Sequence, residues 1–434
     1  MGSTIIRNWD RTRSWRPRAT YHPVDETGAA EVVRQGAEQG RPLKPVGGAL
    51  SWSDAPAISV DAMRFDRMAR IVEIDAGRKR VRVQAGARLS SVNQALAQHG
   101  LALDNFGSIV MQTVGGYLGT GSHGTGGRTP ILASSVTHLR LVDGLGEVHE
   151  LDDAHEPELF SAARVHLGCL GVVTEVTFQC VDAFDLEERL ELVDFETALA
   201  GLDRIVDDND YVKLWWLPYT NEVQVYRFNR TDRPRTRKTF NERLDASGVS
   251  SIAFAGLMAL SRTFPGITPR MNRSAQKISF KPRVRIDRSD RIIRYAGSIP
   301  RHQEAEYAIP RERAATAIDE VRRAVLAADY RVNFPMEIRF VAADDIPMSP
   351  VSGRDSCFVG AYVGSRRWAG PYFADFEALM ADHDGRPHWG KSFSRTPQEL
   401  RDLYPRYDDF DALRRRCDPE GVFRNSFVDR VFPA

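Results

Sequence analysis

Apolar and polar positions recur along the chain with two different periods, and the elements change where the period changes. Residues 26–39 carry helical spacing and meet Gly40, a natural stop, after which LKPVGG reads as a short strand running into a glycine turn. RIVEID and RVRVQAG alternate apolar with polar residues on either side of AGRK, which predicts a hairpin. Ser90 and Ser91 are placed to cap a helix through Leu96 that ends near Gly100. HLRLVD and EVHEL predict a second hairpin turning on GLG, and residues 156–166 a short helix. LGCLG then turns the chain into the strand VVTEVTFQCV. Two sheets with helices outside them account for this half.

After about Val181 the character changes. YVKLWWLP and EVQVYRFN, joined across Thr220 and Asn221, read as neighbours in an antiparallel sheet. Residues 228–291 are basic and rich in Arg and Ser, and their pattern gives helix with loops at no fixed positions. PMEIRFV and SCFVGAYV read as further strands before the loop RPHWGKSF, and the stretch from Pro397 reads as helix.

At 434 residues the chain is too long for one ordinary core and suits two domains. Lys and Arg number 59 against 58 Asp and Glu, so no strongly basic face is available to neutralise many phosphates. Nucleic acid is therefore not an expected partner. Cys169, Cys180, Cys357 and Cys417 show no CxxC pair or zinc spacing, and the N-terminus lacks the apolar stretch of an export signal. Both point to the cytoplasm. The apolar run SIAFAGLMAL is far shorter than the roughly 20 residues that span a bilayer. With Arg262, Arg270, Lys277 and Lys281 it suits a surface-lying segment, but packing within the protein or against another subunit is the preferred reading. The sequence leaves the oligomeric state open.

Residues 107–127, GSIVMQTVGGYLGTGSHGTGG, hold eight glycines. Such a run lets peptide N–H groups converge on an anion, and a phosphate or pyrophosphate is the natural guest. Tight turns alone explain two or three of these glycines. The spacing of Gly116, Gly119 and Gly121 does not match a dinucleotide fold, and no P-loop lysine follows. Two further glycine turns, VGGALSWSD and GCLG, also end strands. Together the three suit one extended, diphosphate-containing cofactor.

Seven motifs in order carry a family resemblance: VGGALSWSD, GLALDNFGS, TVGGYLGTGSHGTG, ARVHLGCLGVVTEVTFQC, MEIRFVAADDIPMSP, RPHWGKSF and DPEGVFRNSFV. Over nearly its whole length the chain resembles the aldonolactone oxidoreductases and alditol oxidases, FAD proteins of the vanillyl-alcohol-oxidase type. The resemblance implies a two-domain α+β fold: an FAD-binding domain at residues 1–182, a mainly antiparallel cap domain at 183–396, and a segment, 397–434, returning to the FAD domain. It implies oxidation of a CH–OH group, with hydride passing to flavin N5. Val46, Gly47, Gly48, Ala49, Leu50, Ser51, Ser53 and Asp54 correspond to the loop on the FAD pyrophosphate. Gly107, Ser108, Gly115, Gly116, Gly119, Thr120, Ser122, His123, Gly126, Gly171, Val173 and Lys391 correspond to further cofactor contacts, His123 being either a contact or a packed histidine.

Three places in the resemblance matter. Leu50 stands where many members carry the histidine that links the flavin covalently, so the expected FAD is non-covalent. Gly107 matches the position thought to gate oxygen, where glycine admits it, which favours an oxidase making hydrogen peroxide; as a plain reading, Gly107 serves a turn. Gly360 and Tyr362 replace the histidine and threonine of the alditol-oxidase pattern, so the lactone gains over the polyol.

Glu337 and Arg339, two apart on an alternating strand, share a face. Alone they read as a surface ion pair; the resemblance makes them substrate residues. It also places Lys391 facing the flavin, where a buried lysine beside another cation is the better base and Arg339 fixes the oxygen. Glu337 would bind sugar hydroxyls, with Ser108 adding a hydrogen bond. His388 and Trp389 either shape the pocket or form a packed aromatic pair. The rival readings are the same fold acting on an alditol or a non-sugar intermediate, and a flavin-binding module without catalysis.

Overall fold

The structure, a computed structural model, describes residues 5–237, 249–294, 300–328 and 330–433. Thr20–Tyr21, Asp61–Arg64 and Leu43–Val46 form a parallel three-stranded sheet covered by the helix Glu26–Glu38. Asp25 caps that helix by accepting the Gly28 N–H, and Ala29, Ala30 and Val33 face inward to Leu43 and Met63. Both predicted hairpins form. They contribute to an antiparallel five-stranded sheet in the order Val148–Leu151, Val136–Val142, Val172–Gln179, Arg80–Gln84, Ile71–Asp75.

The predicted serine cap does not form. The helix Leu89–Gln98 starts after Arg88, which makes no side-chain capping bond, and Ser90 and Ser91 lie within its first turn.

The second large sheet has eight antiparallel strands, ordered Arg283–Arg288, Asp185–Asp194, Glu222–Thr231, Tyr211–Trp216, Met336–Val341, Ser356–Val363, Gln303–Pro310, Arg386–Pro387. Side chains alternate across a strand, so one face collects Leu214, Trp216, Val225, Ile338, Val359 and Tyr307. The helices Phe195–Ala200, Ala314–Ala327 and Arg366–Asp382 bury that face through Phe195, Ile318 and Phe376. The opposite face is left to the polar residues of the same strands.

Residues 228–291 contain more order than their composition suggested. Phe228 lies inside the strand Glu222–Thr231, Arg283–Arg288 is an edge strand, and Val249–Thr263 and Thr268–Ser279 are helices; 238–248 fall outside the described residues. Met258 is buried, but Leu257, Leu260 and Phe264 are exposed, Phe264 by 58%. Internal packing therefore explains only part of the apolar run. No helix among the described residues is long and apolar enough to cross a membrane.

The C-terminal helices Pro397–Leu403, Tyr407–Cys417 and Ser426–Val431 pack through Leu400, Phe410 and Phe427 into the core of the five-stranded sheet. They also tie down the first glycine loop: Arg430 donates to Asp54 at 2.7 Å, and Asn425 to the Ala57 carbonyl at 2.9 Å.

Candidate active site

Register assembles the site. Lys213 pairs with Arg339 and Trp215 with Glu337 across one pair of strands. Glu337 and Glu306 each stand opposite Gly360 from either side, and Glu304 stands opposite Tyr362. With a two-residue period, this places Lys213, Arg339, Glu337, Tyr362, Glu306 and Glu304 on the polar face of the eight-stranded sheet.

The loop after Arg386–Pro387 is laid across that face by backbone bonds, His388 N to Glu306 O at 2.9 Å and Ser392 N to Glu304 O at 3.0 Å. Lys391 Nζ consequently touches Glu304 Oε1, lies 4.0 Å from Glu306 Oε2, and sits 4.2 Å above the Trp52 ring. Trp52 N donates to Gly390 O at 2.7 Å, and Ser53 Oγ to Trp389 O at 2.7 Å. The first glycine loop and the lysine loop thus hold each other.

Arg339 Nη2 donates to Glu306 Oε1 at 2.5 Å, and its Nε is 3.6 Å from Glu337 Oε2. Glu337 accepts from Trp215 Nε1 at 2.9 Å and from the Tyr362 hydroxyl at 3.0 Å. The side chains of Glu337 and Arg339 are only 14% and 11% exposed, which excludes a solvated surface pair. Burial opposes ionisation of Glu306, but Arg339 and then His123 hold its carboxyl well below the usual range. Burial likewise opposes ionisation of Glu304, which Lys391 overcomes, and of Glu337, which Arg339 and Lys213 overcome. Burial pushes His388 down to about 3 and lowers His123. Near neutral pH, three carboxylates therefore face the cations Arg339, Lys391 and Lys213 across two neutral imidazoles.

The environment expected for Lys391 is corrected. A lysine base was expected beside a cation, but the nearest charged atoms are the carboxylate oxygens of Glu304 and Glu306. Glu304, Glu306 and Lys213 were missed by the sequence reading. The available signal was QEAEYAIP, where Ala305, Tyr307 and Ile309 alternate with the two glutamates. His123, Glu306 and His388 bring ligand-type atoms within 4.8 Å of one another. Glu306 is already paired with Arg339, and His388 Nδ1 accepts from Gly390 N at 3.0 Å, which puts its proton on Nε2. The trio is a charge cluster, poorly suited to a metal.

The glycine loops divide into two kinds. A Cβ on Gly115, Gly119, Gly126 or Gly171 would lie between 2.5 and 3.1 Å from Ala85, His166, Tyr211 or Val142 atoms, so these glycines permit internal close approach. Tight internal packing accounts for more of the run than two or three positions. Gly107 belongs here too: its Cβ would fall 2.9 Å from His123 O, and its N–H donates to Tyr117 at 2.8 Å. Gly47 and Gly116 are different. A Cβ on Gly47 would meet Thr113 Oγ1 at 2.3 Å, so the two loops touch, while Gly116 is exposed and Gly48, Ala49, Leu50 and Ser51 are half-buried beside it. They form an open trough floored by backbone.

The remaining positions are mixed. Val46 and Val173 are buried, Thr120 and Ser122 hydroxyls lie 3.1 Å apart, and Asp54 and Ser53 are engaged by protein. His123 stacks on Phe358 at 3.5 Å between ring centroids. Trp389 is fully buried and donates to Met348 O, so it is a core residue, while His388 lies beneath the charge cluster. Ser108 lines a small cavity with Arg339 and Lys213.

An FAD fits these residues: the trough leaves backbone open to a diphosphate, and Glu306 Oε2 and Arg339 Nε are buried without hydrogen-bond partners among the described residues.

The sequence profile described as D-arabinono-1,4-lactone oxidase matches residues 176–431, and an FAD-binding-domain profile matches 17–152. An L-gulono-1,4-lactone dehydrogenase of Mycobacterium tuberculosis is 33% identical, covering 99% of each chain. An L-gulonolactone oxidase of Bos taurus is also 33% identical, covering 98% of each. A cholesterol oxidase from Brevibacterium sterolicum superposes with a TM-score of 0.84 at 17% identity, covering 99% of this chain and 97% of that one, which shows the fold alone. The chain belongs to the D-arabinono-1,4-lactone oxidase family of FAD-dependent aldonolactone oxidoreductases.

Proposed function

We propose that this protein oxidises a CH–OH group of a sugar 1,4-lactone of the gulono, galactono or arabinono type, at the buried face built from Glu337, Arg339, Glu306 and Lys391. The observation that carries the reading is that cluster of fixed, enclosed charge. FAD, when bound, supplies the hydride acceptor and the route for two electrons to leave. The residues named from the resemblance in 46–54, 107–126 and 171–173 would hold it, with 1–182 and 397–434 as the cofactor unit and 183–396 as the substrate unit.

Arg339 and Lys391 present positive charge where an alkoxide develops. Lys391 and Glu304 share a proton as one unit, so the hydroxyl proton goes to the pair rather than to an isolated lysine. Glu337, oriented by Trp215 and Tyr362, binds substrate hydroxyls. Gly360 and Tyr362 stand where the alditol pattern has histidine and threonine, and the Tyr362 hydroxyl occupies Glu337, which supports lactone over polyol. Four buried, unpaired cysteines suit a reducing compartment such as the cytoplasm.

Leu50 supports non-covalent FAD. Acid precipitation of the yellow protein is expected to leave the flavin in the supernatant, and flavin held in the pellet would overturn this. Gly107 supports reoxidation by O2 with release of hydrogen peroxide. Aldonolactones are expected to bleach the visible flavin absorption anaerobically, and admitted air to restore it within seconds. Failure of every lactone, alditol and simple sugar to bleach refutes the sugar reading. Bleaching without recovery in air refutes the oxidase.

A further inference from the structure

Trp52 belongs to the first glycine loop, yet its side chain serves the lysine loop. The centroid of its indole lies 4.2 Å from the Lys391 ammonium. The ring is held from several sides. Its Nε1–H donates to His302 O at 2.9 Å, and its centroid lies 5.3 Å from the His302 ring and 5.1 Å from the Trp9 ring. Its backbone N–H donates to Gly390 O at 2.7 Å, one residue before the lysine.

The brace around the indole is fixed in turn. His302 is buried, its Nδ1 donates to Pro300 O at 2.9 Å, and its ring centroid lies 4.4 Å from that of Phe334 and 5.5 Å from that of Tyr362. Trp9 stands 4.9 Å from the same imidazole and accepts from Arg301 through its carbonyl. Trp52 is only half-buried, so removing apolar area from water is a weak reason for so many restraints. A fixed aromatic face is a good reason when a cation rests on it. An ammonium carries three N–H donors on a flexible stem, and Lys391 spends one on Glu304. The indole face attracts the cation and keeps solvent from that side.

We propose that Trp52 is a positioning residue for Lys391: its braced indole face holds the ammonium against Glu304 and leaves an N–H directed to the substrate oxygen. This rests on the reading of the Lys391–Glu304 pair as the acceptor of the hydroxyl proton. It adds that the cofactor loop, through one side chain, sets the geometry of that pair.

Rapid anaerobic mixing of FAD-loaded variants with a range of lactone concentrations tests it. Trp52→Leu is expected to lower the limiting rate of bleaching about tenfold, with the flavin spectrum in place and the half-saturating lactone concentration little changed. Trp52→Phe keeps an aromatic face and should recover most of the loss. In a Lys391→Met background, Trp52→Leu should cost less than about a further twofold, because no ammonium is left to position. A loss as large in that background as in the wild-type protein overturns the proposal, as does Trp52→Phe no faster than Trp52→Leu. Acetic anhydride labelling, read by mass spectrometry with the other lysines as internal reference, needs no substrate. Trp52→Leu should raise the labelling of Lys391 severalfold, and unchanged labelling overturns the positioning role. If labelling rises while no lactone bleaches the wild-type flavin, the positioning holds and the reading of the site fails.

Discussion

Glu306→Ala is expected to lower the stability of the folded protein by about 3 kcal/mol, because it takes from the buried Arg339 guanidinium its nearer carboxylate and leaves it only Glu337, 3.6 Å from Nε. The Glu306 side chain is fully buried and that of Arg339 11% exposed, so solvent does little to screen the pair. Denaturant unfolding of the two proteins at neutral pH measures the loss. A double replacement, Glu306→Leu with Arg339→Met, removes both charges of the pair and should recover part of the stability, the shortfall being the loss of Arg339 from Glu337, while abolishing activity. A single variant within about 1 kcal/mol of wild type would show that the pair is not energetically coupled in this way. Acid gives an independent check. Glu306 is held well below its unfolded value of about 4.3, so its contribution is complete above that value and disappears as the pH falls through the folded one. The wild-type protein should therefore lose stability in acid more steeply than the Leu–Met variant.

The sequence exposed the parts of this fold that are local. Alternation about AGRK and GLG is enough for two hairpins, because strand and turn lie within a dozen residues of each other. Glu337 and Arg339 were visible as a pair for the same reason, two charges on one face of MEIRFV, but that pattern alone reads as a surface ion pair and only the resemblance made them site residues. Glu306 was not visible, since what makes it functional is a contact with Arg339, 33 residues away on a strand that reaches it across Ser356–Val363. Lys213 in YVKLWW reads as an ordinary polar position until register sets it beside Arg339 and two aromatic rings. The glycine-rich run was legible as a place of close approach, but not which neighbour each glycine admits. Gly119 accommodates His166 and Gly171 the Val142 carbonyl, while Gly116 faces outward. Composition misled in residues 228–291, where a run of arginines hides an edge strand whose Arg283 and Arg285 are bound to Glu188.

Lys391→Met is expected to slow anaerobic bleaching of the flavin by about 100-fold to 1,000-fold, with FAD still bound, because it removes one of two cations beside the developing alkoxide together with the proton path to Glu304. Rapid mixing with a saturating lactone reads the step directly, and the visible spectrum before mixing reports that the cofactor is in place. The substitution also leaves the buried Glu304 facing no ammonium. Burial raises its pKa, and Lys391 is the largest of the influences that hold it low, ahead of His302, so in Lys391→Met the Glu304 carboxyl should bind its proton more tightly. Adding Glu304→Gln to Lys391→Met should then cost less stability than the same change costs the wild-type protein, since the carboxylate has lost its ammonium partner. The same Glu304→Gln change in the wild-type background should slow bleaching, because the Lys391 ammonium loses the group that shares its proton. If Lys391→Met bleaches within about threefold of the wild-type rate, neither the cation nor the pair serves the step, and Arg339 alone must stabilise the departing oxygen.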